Sequence, residues 1–146
     1  MSFVCYCFNP NHYHFLLQQI SDRGIEKFMH RLGSGYTTYF NKKYNRNGSL
    51  FQGTFKANQI DSDEYLLYVS AYVNLNNRIH KIEKEVFDSS WGEYSEGIKK
   101  NSGFCDKNII LNQFANFQEY KSFSENVVAT ARERKELEKI LKIDLT

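Results

Sequence analysis

Two histidines separated by a single residue, His12 and His14, are the first residues of this chain whose types and spacing favour chemistry. On a β-strand, residues two apart project from the same face, so both imidazoles would lie close enough to share one divalent cation. This spacing is weak evidence by itself, because paired histidines also occur in strands that bind no metal. A metal site and an ordinary pair of strand histidines are both open at this point.

A tyrosine and an asparagine four residues apart, Tyr72 and Asn76, form a second pair of this kind. On an α-helix this spacing puts both side chains on one face, where the Asn76 amide oxygen can approach a cation beside the Tyr72 hydroxyl. A tyrosine can act as a covalent nucleophile where a metal polarises a phosphate. The alternative is a core tyrosine followed by an asparagine at a helix end. The remaining histidines, His30 and His80, are interpreted as ordinary polar residues.

The pattern around the histidines predicts a β-hairpin that positions them. Residues 3–8 are apolar on both faces, residues 9–11 are a turn cluster of Asn and Pro, and residues 12–17 form the second strand. In this second strand, His12 and His14 are expected to share one face.

Capping residues and a helical spacing of apolar residues predict two helices after the hairpin. Ser21 or Asp22 is expected to cap the first helix, which extends to about residue 41. Ser62 is expected to cap the second helix, which carries Tyr72 and stops at two consecutive asparagines, Asn76 and its neighbour. The second helix therefore positions the tyrosine–asparagine pair.

The remaining segments are predicted from weaker patterns. Residues 49–60 indicate a strand interrupted by Gly53, because glycine weakens a strand interior. A short element is expected near residues 109–114, and residues 119–145 indicate one or two terminal helices.

Positive charge is concentrated in one part of the chain. From residue 23 to residue 56 there are seven Lys or Arg and one Glu, a local balance of +6 within a net charge of +2. Such a block is either a solvated face or an anchor for phosphates. Six aromatic residues interleave with the charges, which favours unpaired bases as the partner. The candidate DNA-binding residues are Arg23, Lys27, Arg31, Lys42, Lys43, Arg46 and Lys56.

Length and composition exclude several protein classes. A chain of 146 residues, 41% hydrophobic and 16% aromatic, fits one globular domain and excludes collagenous or low-complexity protein. The longest apolar run, residues 3–8, is far shorter than the roughly 18 residues of a membrane helix. Three cysteines do not form a disulfide framework or a four-ligand zinc site, and Cys5 and Cys7 are interpreted as buried packing residues. We therefore expect a soluble, intracellular protein.

The order and spacing of four segments resemble the single-tyrosine HUH transposases, and within them the REP-associated and insertion-sequence-derived branch. This family is named after a histidine–hydrophobe–histidine strand, which here is His12-Tyr13-His14. The resemblance covers roughly residues 3–94, and the segments that carry it are 9–17, 48–53, 65–67 and 72–76.

The resemblance implies a specific chemistry for the two residue pairs. It assigns His12, His14 and Asn76 as ligands of Mg²⁺ or Mn²⁺, and Tyr72 as a nucleophile that attacks a DNA phosphate and leaves a 5′-phosphotyrosine and a free 3′-hydroxyl. Implied partners are single-stranded or hairpin DNA, with a homodimer left open and no membrane. The implied location is the cytoplasm of a bacterial-type cell, in association with DNA.

The resemblance also implies an α+β fold, with a ferredoxin-like antiparallel sheet and helices on one face. Residues 1–98 would form a partial catalytic domain, whose first strand and helix are expected to be missing, and residues 99–146 a C-terminal helical extension. Thr54, Ala71 and Asn77 depart from the residues that the family commonly has there. Because the first strand and helix are expected to be missing, an inactive truncated remnant that only binds single-stranded or hairpin DNA is the alternative to an active enzyme.

Overall fold

The computed structural model describes residues 1–82, 88–95 and 103–144. The predicted α+β class is confirmed, with a three-stranded antiparallel sheet and helices that include a long C-terminal one. The predicted boundary between residues 98 and 99 lies outside the described residues. In chain order the elements are β1 Ser2–Phe8, β2 Tyr13–Gln18, α1 Gly24–Lys43, α2 Asp63–Asn74, α3 Asn76–His80, β3 Asp88–Ser89, α4 Trp91–Ser95, α5 Asn108–Leu111 and α6 Phe117–Asp144.

The sheet has β1 at its centre, in the order β2-β1-β3. β3 runs antiparallel to β1, with Cys7 opposite Ser89. The four consecutive residues from Val4 to Cys7 are all buried, as expected for a central strand that is covered on both faces. The predicted hairpin is present, and His12 lies in the turn immediately before β2. Cys5 and Cys7 are fully buried free thiols, as predicted.

The chain divides into two compact units. Unit 1 consists of Met1 and Gln18–Gln59, and unit 2 of Ser2–Leu17 and Ile60–Thr146. Unit 1 contains α1 and the candidate DNA-binding residues, whereas unit 2 contains all four candidate chemical residues.

In unit 1, two predictions from the sequence are wrong. Neither Ser21 nor Asp22 caps α1: its first flanking residue is Arg23, which has a left-handed φ of 54° and makes no side-chain cap. The Arg23 side chain instead pairs with Glu26 in the first turn. Residues 49–60, all of them described, form bends and irregular backbone instead of the predicted strand.

In unit 2, α2 begins as predicted, because the Tyr65 backbone N–H donates to the Ser62 hydroxyl oxygen at 3.2 Å. The predicted stop at residues 76–77 is wrong. α2 ends at Asn74, and after one residue, Leu75, the chain re-enters a helix as α3.

Packing against α6 explains why the chain continues into α3. Leu75 and Ile79 are buried in a cluster with Val128 and Ala131 of α6. Burying two large aliphatic side chains stabilises the fold by about 1.5–3 kcal/mol each, which outweighs the weak local preference of asparagine to end a helix. No helix in the described residues combines the length and apolar composition that crossing a membrane requires.

A buried polar network connects α2 with α6 and β1. The Tyr120 hydroxyl lies 3.1 Å from the Ser70 hydroxyl and accepts a 3.1 Å hydrogen bond from the Asn74 amide. The Ser90 hydroxyl donates to the Asn74 side-chain oxygen and accepts from the Tyr6 backbone N–H at 2.9 Å. Because unpaired buried polar groups are costly, this network fixes the rotation of α2 about its axis. It thereby sets the direction of Tyr72, which lies between Ser70 and Asn74 in sequence.

Candidate active site

The structure brings together the four residues that the sequence singled out for chemistry. The ring centroids of His12 and His14 are 5.1 Å apart, and those of His14 and Tyr72 are 6.1 Å apart. Asn76 joins the group through the Asn9 side chain, which bridges it to His12. The β1–β2 hairpin therefore supplies the imidazoles, and the α2–α3 junction supplies the phenol and the amide.

Hydrogen bonds from the turn before β2 orient the His12 ring. Its Nδ1 lies 2.7 Å from the Asn11 side-chain oxygen, and its Nε2 lies 3.0 Å from the Asn9 side-chain nitrogen. An amide oxygen only accepts, so we infer that Nδ1 carries the proton and Nε2 carries the lone pair. His12 thus directs the Nε2 lone pair towards the Asn9 side-chain nitrogen, and an imidazole with one free lone pair is the form that a metal ligand requires.

Asn76 is fully buried at the start of α3. Its side-chain oxygen accepts a 2.8 Å hydrogen bond from Asn9, whereas its side-chain nitrogen has no hydrogen-bond partner within the described part of the chain. Buried polar atoms without a partner are uncommon in folded proteins, and Ser2 Oγ and Asn41 Oδ1 are the other two in the described residues. The α2–α3 junction thus holds a polar side chain whose hydrogen-bonding capacity the fold does not fill.

Tyr72 is half-buried between two aromatic neighbours. Its ring stacks on Tyr68 with centroids 6.3 Å apart and meets His14 edge-on. Burial raises the pKa of the Tyr72 hydroxyl, while the nearby Asn76 side chain acts in the opposite direction. The hydroxyl therefore carries its proton at neutral pH.

A third histidine, His80, interpreted from the sequence as an ordinary polar residue, lies beside the group. Its ring centroid is 6.1 Å from that of His12, and the Lys135 ammonium lies 2.8 Å from its Nδ1 and 3.1 Å from its Nε2. The sequence contained a signal for this proximity in its spacing. His80 follows Asn76 by four residues, as Asn76 follows Tyr72.

Two histidines of the group, His14 and His80, favour their neutral form. Burial lowers the pKa of His14, and the neighbouring His12 and His80 lower it further. Burial also lowers the pKa of His80, together with the charge of Lys135 and with His12. Neutral imidazoles retain the lone pair that binds a metal ion.

The side chains of this group could bind a divalent cation only with the Asn76 amide oxygen as one of the ligands. In residues 1–82, 88–95 and 103–144, no three His, Cys, Asp or Glu side chains are grouped so that they could hold a metal ion. Asn76 would supply the third donor, because its oxygen and the His12 Nε2 both accept from the Asn9 amide nitrogen. With His14, the candidate donors are two imidazole nitrogens and one amide oxygen; amide oxygens are ligands of Mn²⁺ and Mg²⁺, and imidazoles are ligands of first-row transition metals.

The candidate DNA-binding residues all lie in unit 1 but do not form one patch. Arg23 is paired with Glu26, and Lys27 donates to a backbone carbonyl at 3.3 Å. At the other end of the 20-residue helix α1, about 30 Å away, Lys43 lies over the Tyr39 and Tyr44 rings. The other candidates are Arg31, Lys42 and Lys56, which are exposed, and Arg46, which lies over the Phe40 ring.

Comparison with protein families identifies the chain. Residues 1–76, more than half of its length, match the family described as "Transposase IS200 like". The match includes the histidine pair and Tyr72, and it ends at Asn76. Comparison with curated proteins and with solved structures gives no significant match. The chain belongs to the family of IS200-like transposases.

Proposed function

We propose that this transposase-like protein cleaves and rejoins single-stranded DNA through a covalent bond to Tyr72, with Mg²⁺ or Mn²⁺ held by His12, His14 and Asn76. The observation that supports the proposal is the proximity of these four side chains in unit 2, where a phenol lies beside two imidazoles and an amide. Family membership supports the transposase-like part of the function.

The chemistry has three requirements that the chain's own residues meet. The Tyr72 ring is held by Tyr68 and His14, which restricts the direction in which its hydroxyl can attack. The uncharged donors leave the full charge of a bound cation to act on the phosphate, whose negative charge otherwise repels the nucleophile. Solvent exposure of His12 leaves the group open to a DNA strand.

The covalent step balances without an external energy source. The Tyr72 oxygen forms a bond to phosphorus, the bond from phosphorus to the 3′ oxygen breaks, and a 5′-phosphotyrosine and a 3′-hydroxyl result. The phenol loses one proton and the departing 3′ oxygen gains one, so no net proton is consumed. Since one phosphodiester replaces another, a 3′-hydroxyl can reverse the step and rejoin the strand.

DNA is proposed to bind through the basic and aromatic residues of unit 1. Lys43 and Arg46 lie over aromatic rings at the C-terminal end of α1, and Tyr36, Tyr39 and Tyr44 are exposed there. Cations beside exposed aromatic faces can contact phosphates while bases stack. This surface favours single strands, whose bases are accessible.

A second candidate function is DNA binding without cleavage. The observation that favours it is that the basic and aromatic surface belongs to unit 1, which contains none of the four chemical residues. A protein with this surface could retain DNA binding after the chemistry was lost.

The test uses the position of the label on a DNA strand. The purified protein is incubated with Mn²⁺ and single-stranded DNA labelled at either its 3′ or its 5′ end, and adducts are separated under denaturing conditions. A 5′-phosphotyrosine retains the downstream fragment, so we expect labelled protein from the 3′-labelled strand only. Adducts from the 5′-labelled strand would contradict the proposed polarity, and binding without any adduct would favour the second candidate.

A further inference from the structure

The side chain of Asn9 occupies a central position in the candidate metal site, although neither the sequence pattern nor the family match assigns it a role. Its amide nitrogen lies 2.8 Å from the Asn76 side-chain oxygen and 3.0 Å from the His12 Nε2. These are two of the three proposed ligand atoms. The His12 Nε2 has a single lone pair, so it cannot accept from Asn9 and bind a cation at once, whereas the Asn76 oxygen has two lone pairs and can do both.

The neighbours of Asn9 fix which end of its amide faces the ligands. The Cys7 thiol lies 3.5 Å from the Asn9 side-chain oxygen, and burial raises the pKa of Cys7 to about 11, so the thiol keeps its proton and donates. The amide oxygen is thereby held on the strand side and the NH₂ group on the ligand side. The Asn9 backbone N–H also donates to the His12 carbonyl at 2.9 Å, which keeps the two residues adjacent.

We propose that Asn9 competes with the divalent cation for the His12 Nε2 and so lowers the affinity of the protein for the metal. The inference rests on the proposed metal site of the enzyme. A net hydrogen bond that a cation must displace lowers its binding constant about fivefold. With this one bond, removal of the Asn9 amide is expected to tighten metal binding roughly 2- to 12-fold.

The competition has a consequence for how the site is loaded. A cation that also receives oxygens from a DNA phosphate gains ligands that compensate for the hydrogen bond it displaces at His12. The chain would thus bind the metal weakly alone and more tightly together with DNA, and the same coupling would make DNA binding tighter in the presence of the metal.

The experiment measures Mn²⁺ affinity without DNA, by calorimetry and by the electron paramagnetic resonance signal of the free ion. Wild type is compared with Asn9→Ala and with Asn9→Leu, which keeps the volume but has no donor. Asn11→Ala is the matched control from the same turn, because Asn11 contacts His12 at Nδ1 and does not bridge two ligands. We expect both Asn9 variants to bind Mn²⁺ more tightly than wild type, and Asn11→Ala not to do so.

The same variants are also made in a protein that carries both His12→Ala and His14→Ala. This comparison distinguishes failure of the proposed competition from failure of the proposed metal site. If Mn²⁺ binding depends on these histidines but the Asn9 variants bind as wild type does, or more weakly, the competition is refuted and the metal site stands. If binding by Asn9→Ala is unchanged when both histidines are removed, or if no variant shows histidine-dependent binding, the metal site itself is wrong. Melting temperatures measured in parallel ensure that each variant is folded.

Discussion

Replacing Tyr72 by phenylalanine tests the proposed chemistry at a single oxygen atom. The ring contacts with Tyr68 and His14 do not involve the hydroxyl, so Tyr72→Phe keeps both. What is lost is the nucleophile and its interaction with the Asn76 side chain. The variant is therefore expected to fold and to bind DNA as wild type does, and to form no covalent adduct.

The expected effects of Tyr72→Phe on stability and on turnover differ greatly in size. Removal of a half-buried hydroxyl while the ring is kept costs at most about 1.5 kcal/mol, which for a chain of this length lowers the melting temperature by no more than about 6 °C. Loss of a covalent nucleophile reduces turnover on the order of 10⁶-fold. Stability and cleavage should thus separate by several orders of magnitude, which an effect on folding alone would not produce.

The assay compares adduct formation by wild type, Tyr72→Phe, Tyr68→Phe and Tyr65→Phe on the same helix. Neither Tyr65 nor Tyr68 precedes an asparagine by one helical turn, so their variants should retain cleavage. Cleavage by Tyr72→Phe at the wild-type rate would refute the mechanism. Loss of the adduct in Tyr68→Phe but not in Tyr72→Phe would move the nucleophile one turn towards the start of α2.

Three further variants test the metal site, the DNA surface and the buried network. His12→Ala combined with His14→Ala should abolish saturable Mn²⁺ binding in calorimetry, because one amide oxygen cannot hold the ion. Equal Mn²⁺ affinity of the wild type and the double variant would rule the site out. Lys42→Ala combined with Lys43→Ala should weaken the salt dependence of single-strand binding. If both lysines contact phosphates, the magnitude of the slope of log K against log salt concentration falls by about 1.4. Tyr120→Phe should lower the free energy of unfolding by about 1–3 kcal/mol in urea titrations, because it leaves buried polar groups without a partner.

The last two variants have matched controls. Arg23 is already paired with Glu26, so Arg23→Ala should change the salt slope less than the lysine pair does. A larger change in slope for Arg23→Ala would place the DNA contact at the other end of α1. Tyr65 is exposed, so Tyr65→Phe should leave stability within about 0.5 kcal/mol of wild type. Equal stability of the Tyr120→Phe protein would show that the network contributes nothing to the fold.

Local patterns predicted those parts of the fold that local interactions determine. The Ser62 cap needs only the N–H of Tyr65 three residues on, and the burial of β1 follows from its apolar residues on both faces. In these two cases the residue type and the spacing contain the physical cause. The expectation that Tyr72 and Asn76 share one helix is wrong, because α2 ends at Asn74 and Asn76 begins α3.

Other elements depended on partners that a sequence pattern does not contain. The strand predicted over residues 49–60 needs a neighbouring strand to pair with, and the chain there bends instead, with Gly53 at a φ of 85°. Asn9 was grouped with the turn residues because nothing in the local sequence indicates that Asn76, 67 positions later, accepts from it. Long-range contacts of this kind decide which polar residues of a turn enter a site.

The C-terminal helix α6 is part of what builds the candidate site, although it lies outside the family match over residues 1–76. Val128 and Ala131 bury Leu75, the residue that separates α2 from α3, and so hold Asn76 at the start of α3. One turn further along α6, Lys135 meets His80 beside the histidine pair. Since a displacement of about 1 Å at a catalytic group can reduce rates about 100-fold, the chemistry proposed for residues 1–76 depends on packing supplied by residues 117–144.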